Sequence, residues 1–166
     1  LETDRIFTET DFSDADLLVL PGGMPGTKYL GEYKPLTDLV TDFYKKGGKV
    51  AAICAAPTVL ASLGILNGKK ATAYPSCMEG LSGAEPSLES VVVDENITTS
   101  RGLGTAIDFA LSNMTNSGVQ KVAVLTQYNA RSLNEHLSSS KWWNFGRKQG
   151  GMFVFTPTIT KENSFW

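Results

Sequence analysis

The sequence predicts an α/β sandwich built on a mainly parallel sheet. Two observations carry this. Short apolar runs at 16–20 (DLLVL), 49–54 (KVAAIC) and 121–126 (KVAVLT) have the length and composition of buried strands. Between them lie stretches with apolar residues at helical spacing, opened by Pro and closed by Gly. A chain of 166 residues, 42% of them hydrophobic, supports one full core rather than two complete domains. There is no internal repeat.

DLLVL ends at Pro21-Gly22-Gly23, a strand running into a loop. Pro35 stands at a helix start; Leu36, Leu39, Val40 and Phe43 then recur at helical spacing until Lys45, Lys46 and Gly47-Gly48 close the segment. KVAAIC is the second strand. Pro57 sits where an early helical residue loses nothing by lacking an N–H, and Val59, Leu60, Leu63 and Leu66 give one apolar face before Asn67-Gly68. Residues 70–74 (KATAY) read as a strand, and Ser76 to Pro86 as a loop. VVVDENITTS reads as a hairpin turning at Asp94-Glu95-Asn96. A turn at 100–104 leads into an amphipathic helix carrying Ile107, Phe109, Ala110, Leu111 and Met114, which stops near Asn116-Ser117-Gly118. KVAVLT is a further buried strand, residues 129–138 a helix, and MFVF at 152–155 a last strand.

Composition excludes several functions. The formal charge of −2 and the lack of a Lys/Arg stripe argue against nucleic-acid binding. No apolar run reaches the roughly 18 to 20 residues that span a membrane. The acidic opening LETDRIFTETD has no apolar core of a signal peptide, so two free thiols in a reducing cytoplasm are expected. Opening on Leu1 within a polar connector, the chain also reads as a fragment. No Cys, His and acid spacing suggests a metal site, and no cofactor is expected.

Cys54 is the residue on which function turns. It lies at the carboxyl end of a strand, where ligands of parallel α/β sheets bind. A helix beginning just after it aims free N–H groups at the thiol, the setting of a nucleophile elbow, and Ala52, Ala55 and Ala56 leave room around it. A thiolate there attacks a carbonyl while the Ala55 N–H holds the oxyanion, and the Gly22-Gly23 turn offers further N–H groups at the same sheet edge. The other reading makes Cys54 a small apolar residue in a tight strand–helix junction.

ADLLVLPGGMPG, AAICAAPTVLASLGILNGKKATAYP and TTSRGLGTAIDFAL, in that order, resemble the ThiJ/PfpI superfamily over roughly residues 1–111. The resemblance implies a flavodoxin-like (class I glutamine amidotransferase-like) three-layer sandwich, usually a homodimer. It implies Cys54 as nucleophile and oxidation-sensitive thiol, and Gly22, Gly23 and Ala55 as anion-binding backbone. The substrates it implies are small reactive carbonyls or peptides, through deglycase, glyoxalase or amidase chemistry. A non-catalytic redox-stress or chaperone role is the alternative. Tyr74 stands where many members place a basic His; a phenol with an ordinary pKa of about 10 donates a hydrogen bond instead. The preferred reading of Tyr74 is an ordinary amphipathic residue at a strand end. The family's first strand, with a Glu that hydrogen-bonds the thiol, has no counterpart after Leu1, so the sheet is expected to lack a central strand and show unpaired edges.

From residue 107 to 166 the chain is instead similar to an N-terminal segment of bacterial ADP-glucose pyrophosphorylase (glucose-1-phosphate adenylyltransferase), through SNMTNSG, VLTQYN and SLNEHL. The two resemblances meet at TAIDFALSN, so a chimera with no activity of its own is a third reading. KVAVLT is expected to join the same sheet as a further parallel strand. This part lacks the Gly-rich nucleotide loop, and no transferase activity follows. The one histidine, His136, reads as a solvated residue on a polar helix; Trp142 and Trp143 as buried rings rather than a stacking platform; Arg131, Arg147 and Lys148 as a solvated face. Cys77, after Pro75-Ser76, reads as an accessible second thiol.

Overall fold

The computed structural model describes residues 5–119, 121–125, 135–137 and 151–155. Contacts divide the chain into two units, Leu1–Phe109 and Ala110–Trp166.

In the first unit, β1 (Leu17–Leu20), β2 (Lys49–Ile53), β5 (Val91–Asp94) and β6 (Ile97–Ser100) form a four-stranded sheet in the order β1-β2-β6-β5. β1 lies parallel to β2 with Leu20 opposite Ala52, and β2 lies parallel to β6 with Ile53 opposite Ser100. β5 and β6 are the expected hairpin; the loop residue Glu95 takes the left-handed conformation that turns the chain. Val50, Ala51 and Ala52 of β2 are wholly buried, as a central strand covered on both faces requires. β1 edges this sheet, and its Val19 is half exposed.

The helices of this unit are α1 (Gly26–Glu32), α2 (Lys34–Lys45) and α3 (Pro57–Ser62). α2 follows the expected pattern: Pro35 in its first turn, a Lys34–Asp38 ion pair at 2.7 Å on the exposed face, and Val40 in the core. Its end is a Schellman motif, with the Gly48 N–H on the Phe43 carbonyl and the Gly47 N–H on that of Tyr44. α3 is shorter than the apolar spacing suggests. Gly64 adopts a φ of 71°, its N–H bonds to the Ala61 carbonyl and the Ile65 N–H to that of Leu60, so the helix closes before Leu66. Leu66 is still fully buried, reached from the capped turn rather than from the helix.

The strand expected over 70–74 is two residues long. β3 (Lys70–Ala71) pairs with β4 (Glu85–Pro86), which lies inside the segment expected to be loop. Beyond Ala71 the backbone bonds elsewhere: the Thr72 N–H donates to Thr99 Oγ1 at 2.9 Å, that of Ala73 to Met78 Sδ at 3.3 Å, and that of Tyr74 to the Cys54 carbonyl at 2.8 Å. The core gathers Leu20, Val40, Val50, Leu60, Leu66, Leu81 and Ile97.

α4 (Ala106–Asn116) follows a short 3-10 turn and ends, as expected, at a left-handed Gly118. In the second unit β7 (Lys121–Leu125) lies parallel to β8 (Gly151–Phe155), so both late strands form. They make a two-stranded sheet. Val122, Leu111 and Leu137 form a small core with Val124 and Met152. Residues 135–137 are helical; the rest of the helix expected over 129–138 lies outside the described residues. Among the described residues, no helix is long and apolar enough to cross a membrane.

Candidate functional site

β2 runs out at Ile53, and Cys54 then turns the chain with a φ of 65°. That region is uncommon for a residue with a side chain, costing on the order of 1–2 kcal/mol, and an outlier of this kind at a strand end is a mark of functional turns. Two backbone hydrogen bonds hold it. The Cys54 N–H donates to the Ser100 carbonyl at the end of β6 (2.9 Å), and the Cys54 carbonyl accepts the Tyr74 N–H (2.8 Å). Ala55 and Ala56 are buried beneath the turn, and Pro57 opens α3. Cys54 as a residue is partly exposed. Cys54 thus sits on a sharp strand-to-helix turn, although α3 has only six residues with which to direct its N–H groups.

Gly22 comes up against this turn. A Cβ built on it would stand 2.5 Å from Cys54 Cβ, 2.7 Å from the Ile53 oxygen and 3.2 Å from the Ala55 nitrogen. Only a residue without a side chain permits that approach. Gly23 is left-handed, at φ 94°, and its carbonyl accepts both the N–H (2.8 Å) and the hydroxyl (3.0 Å) of Thr27, which fixes the start of α1. The structure thus brings Gly22, Cys54 and Ala55 together. Tyr74 joins them through its backbone; its ring is half exposed and lies beside Gly102, where a Cβ would stand 3.4 Å from its Cδ2.

Behind the elbow is a hydroxyl cluster that the sequence reading did not single out. Ser100 Oγ lies 3.0 Å from the Ser90 carbonyl oxygen and 2.6 Å from Thr105 Oγ1, and Thr105 Oγ1 lies 2.9 Å from the Gly102 carbonyl oxygen. Thr98, Thr99 and Ser100 are all buried. The signal was present in TTSRGLGT, Ser and Thr flanking a glycine turn, residues that bond to nearby backbone.

Cys77 lies in a 3-10 turn, Pro75–Gly80, rather than a free loop. Its N–H donates to the Tyr74 carbonyl at 2.7 Å, and its side chain is partly exposed and packs against the core. His136 is exposed and belongs to the second unit. Arg131, Trp142, Trp143, Arg147 and Lys148 lie outside the described residues. Among the described residues, no three of His, Cys, Asp or Glu come together as metal ligands.

Residues 1–116 match the DJ-1/PfpI family. Protein dj-1beta of Drosophila melanogaster is 47% identical over 98 residues, 58% of this chain and 52% of that protein. The chain thus spans about half the length of this curated relative. The crystal structure of Drosophila melanogaster DJ-1beta overlays with a TM-score of 0.57 at 44% identity, covering 62% of this chain and 57% of that one. Oxidized DJ-1 of Toxoplasma gondii gives 0.58 at 34% identity, covering 67% and 62%. The fold is the flavodoxin-like α/β class expected from the sequence. A 60-residue stretch is 45% identical to glucose-1-phosphate adenylyltransferase of Thermosipho africanus, 36% of this chain and 15% of that protein. One chain therefore carries resemblances to two different proteins, the mark of a suspected chimera.

Proposed function

This chain belongs to the DJ-1/PfpI family, and from that premise we propose that Cys54 acts as a nucleophile on reactive carbonyl or amide carbon. The observation that carries the reading is the left-handed Cys54 at the β2–α3 turn with Gly22 set against it. The thiolate forms a bond to the carbonyl carbon, and the π pair moves onto oxygen. The Ala55 N–H, with those of the Gly22-Gly23 turn, receives the oxyanion. Tyr74, whose backbone is tied to Cys54 and whose ring is half exposed, supplies a hydrogen-bond donor at the rim. Small aldehydes of the methylglyoxal type and the amine adducts they form are the substrate class.

The test is turnover of methylglyoxal and of a glycated amine by the chain and by its Cys54→Ser variant. Turnover that disappears with the sulfur supports the proposal; turnover that survives intact overturns it. The partial exposure of Cys54, and the similarity to a structure described as oxidized, support a second reading in which Cys54 is a stress-sensing thiol without turnover. Stoichiometric oxidation of Cys54 with no consumption of either substrate would favour that one.

A further inference from the structure

We infer that Cys77 is the resolving thiol for Cys54, closing on its sulfenic acid as an intramolecular disulfide; the inference rests on Cys54 being the reactive thiol proposed above. The two cysteines are joined through a single residue. Tyr74 donates its N–H to the Cys54 carbonyl at 2.8 Å, and its own carbonyl accepts the Cys77 N–H at 2.7 Å. The second bond closes a tight turn that holds Cys77 close to Tyr74, the residue bonded to Cys54. An independent contact places the same turn across the start of α3: a Cβ on Gly80 would stand 2.9 Å from Thr58 Cγ2, four residues beyond Cys54. Both cysteines are free and neither residue is fully buried.

The chemistry balances with a hydroperoxide as the oxidant. The Cys54 thiolate attacks one peroxide oxygen, the O–O bond breaks, and hydroxide or alkoxide leaves; the sulfur has lost two electrons. Cys77 sulfur then attacks the sulfenic sulfur, the S–O bond breaks, and the departing hydroxide takes the Cys77 proton as water. A disulfide needs Cα atoms within roughly 7 Å. The 3-10 turn 75–80 is the element that adjusts, because such short turns hold their hydrogen bonds in poorer geometry than an α-helix does.

The experiment treats the full chain with two equivalents of hydrogen peroxide, enough to carry a thiol to its sulfinic acid, and reads intact mass and non-reduced peptide maps. The expected result is a loss of two hydrogens, a peptide linking Cys54 to Cys77, and full reversal by dithiothreitol. In Cys77→Ser the disulfide is lost, and Cys54 instead gains two oxygens that dithiothreitol does not remove. Conversion of Cys54 to its sulfinic acid in the unsubstituted chain, with no linked peptide, overturns the inference while leaving Cys54 the reactive thiol. A link between two chains rather than within one also overturns it. Failure of Cys54 to oxidise at all overturns this inference, while the proposed function is decided separately by turnover in Cys54→Ser. The unsubstituted chain alone decides these outcomes should Cys77→Ser fold poorly.

Discussion

Replacing Gly22 with Ala would set a methyl group 2.5 Å from Cys54 Cβ, 2.7 Å from the Ile53 oxygen and 3.2 Å from the Ala55 nitrogen. Carbon atoms pack best about 3.5–4.0 Å apart, so the first contact is short by roughly 1 Å. None of the three atoms ends a flexible side chain. Two are backbone, and the third belongs to a residue pinned by hydrogen bonds to Ser100 and Tyr74. The clash is relieved only by moving the turn, and overpacking of this kind costs about 1–3 kcal/mol. With a urea m-value of about 2 kcal/mol/M, the unfolding midpoint falls by roughly 1 M. The control is Gly26→Ala, where no heavy atom lies within 4 Å and α1 begins; there the gain in chain stiffness is worth about 0.4–1 kcal/mol. Urea unfolding and the rate of Cys54 alkylation by iodoacetamide are measured together, both in a Cys77→Ser background. Equal midpoints and equal alkylation rates for the two variants would refute the close approach of Gly22 to the elbow.

Leu60→Ala empties a position that is fully buried in the first unit's core, and is expected to cost about 2–5 kcal/mol in urea unfolding. Ser100→Ala removes the hydroxyl set between the Ser90 carbonyl and Thr105; a buried hydroxyl lost this way is worth about 1–3 kcal/mol, and Cys54 alkylation should change rate because the Ser100 carbonyl holds its N–H. The Glu95 carboxylate, hydrogen-bonded to Lys69 at 2.5 Å, holds that ammonium above its ordinary 10.5. A raised folded-state value favours the protonated form in the fold, so this contribution is full below 10.5 and is lost as pH rises through the raised value. Lys69→Met should remove that part of the alkaline loss, and parallel melts on either side of pH 10.5 would read the difference.

Local signals reached as far as local causes operate. DLLVL, KVAAIC and the VVVDENITTS hairpin were legible because a buried apolar run or a two-residue turn carries its own instructions. KATAY overran because the N–H groups of Thr72, Ala73 and Tyr74 find partners on Thr99, Met78 and Cys54, none of them adjacent in sequence. The apolar spacing of Leu63 and Leu66 suggested more α3 than exists; Gly64 held the contrary signal, and a left-handed cap outweighs periodicity. α1 went unread because GTKYLGE has no apolar stripe, and among its residues only Thr27 is buried. KVAVLT was legible as a strand, and any parallel partner satisfies a run of that composition, here β8.

The position of Cys54 was legible, whereas its conformation was not. Nothing in IleCysAla prescribes a left-handed residue; Gly, Asn or Asp would ordinarily stand there. The conformation is imposed by partners distant in sequence, and the magnitudes show how narrowly. The left-handed backbone costs on the order of 1–2 kcal/mol, while two backbone hydrogen bonds contribute roughly 0.5–1.5 kcal/mol each. Neither bond alone comfortably offsets the strain; the two together are of about its size. The elbow therefore depends on β6 ending at Ser100 in register with Ile53 and on Tyr74 leaving β3 early enough to reach Cys54. Gly22, Tyr74 and Ser100 all belong to the unit Leu1–Phe109, so these supports of the candidate site lie wholly within the part of the chain that carries the family match.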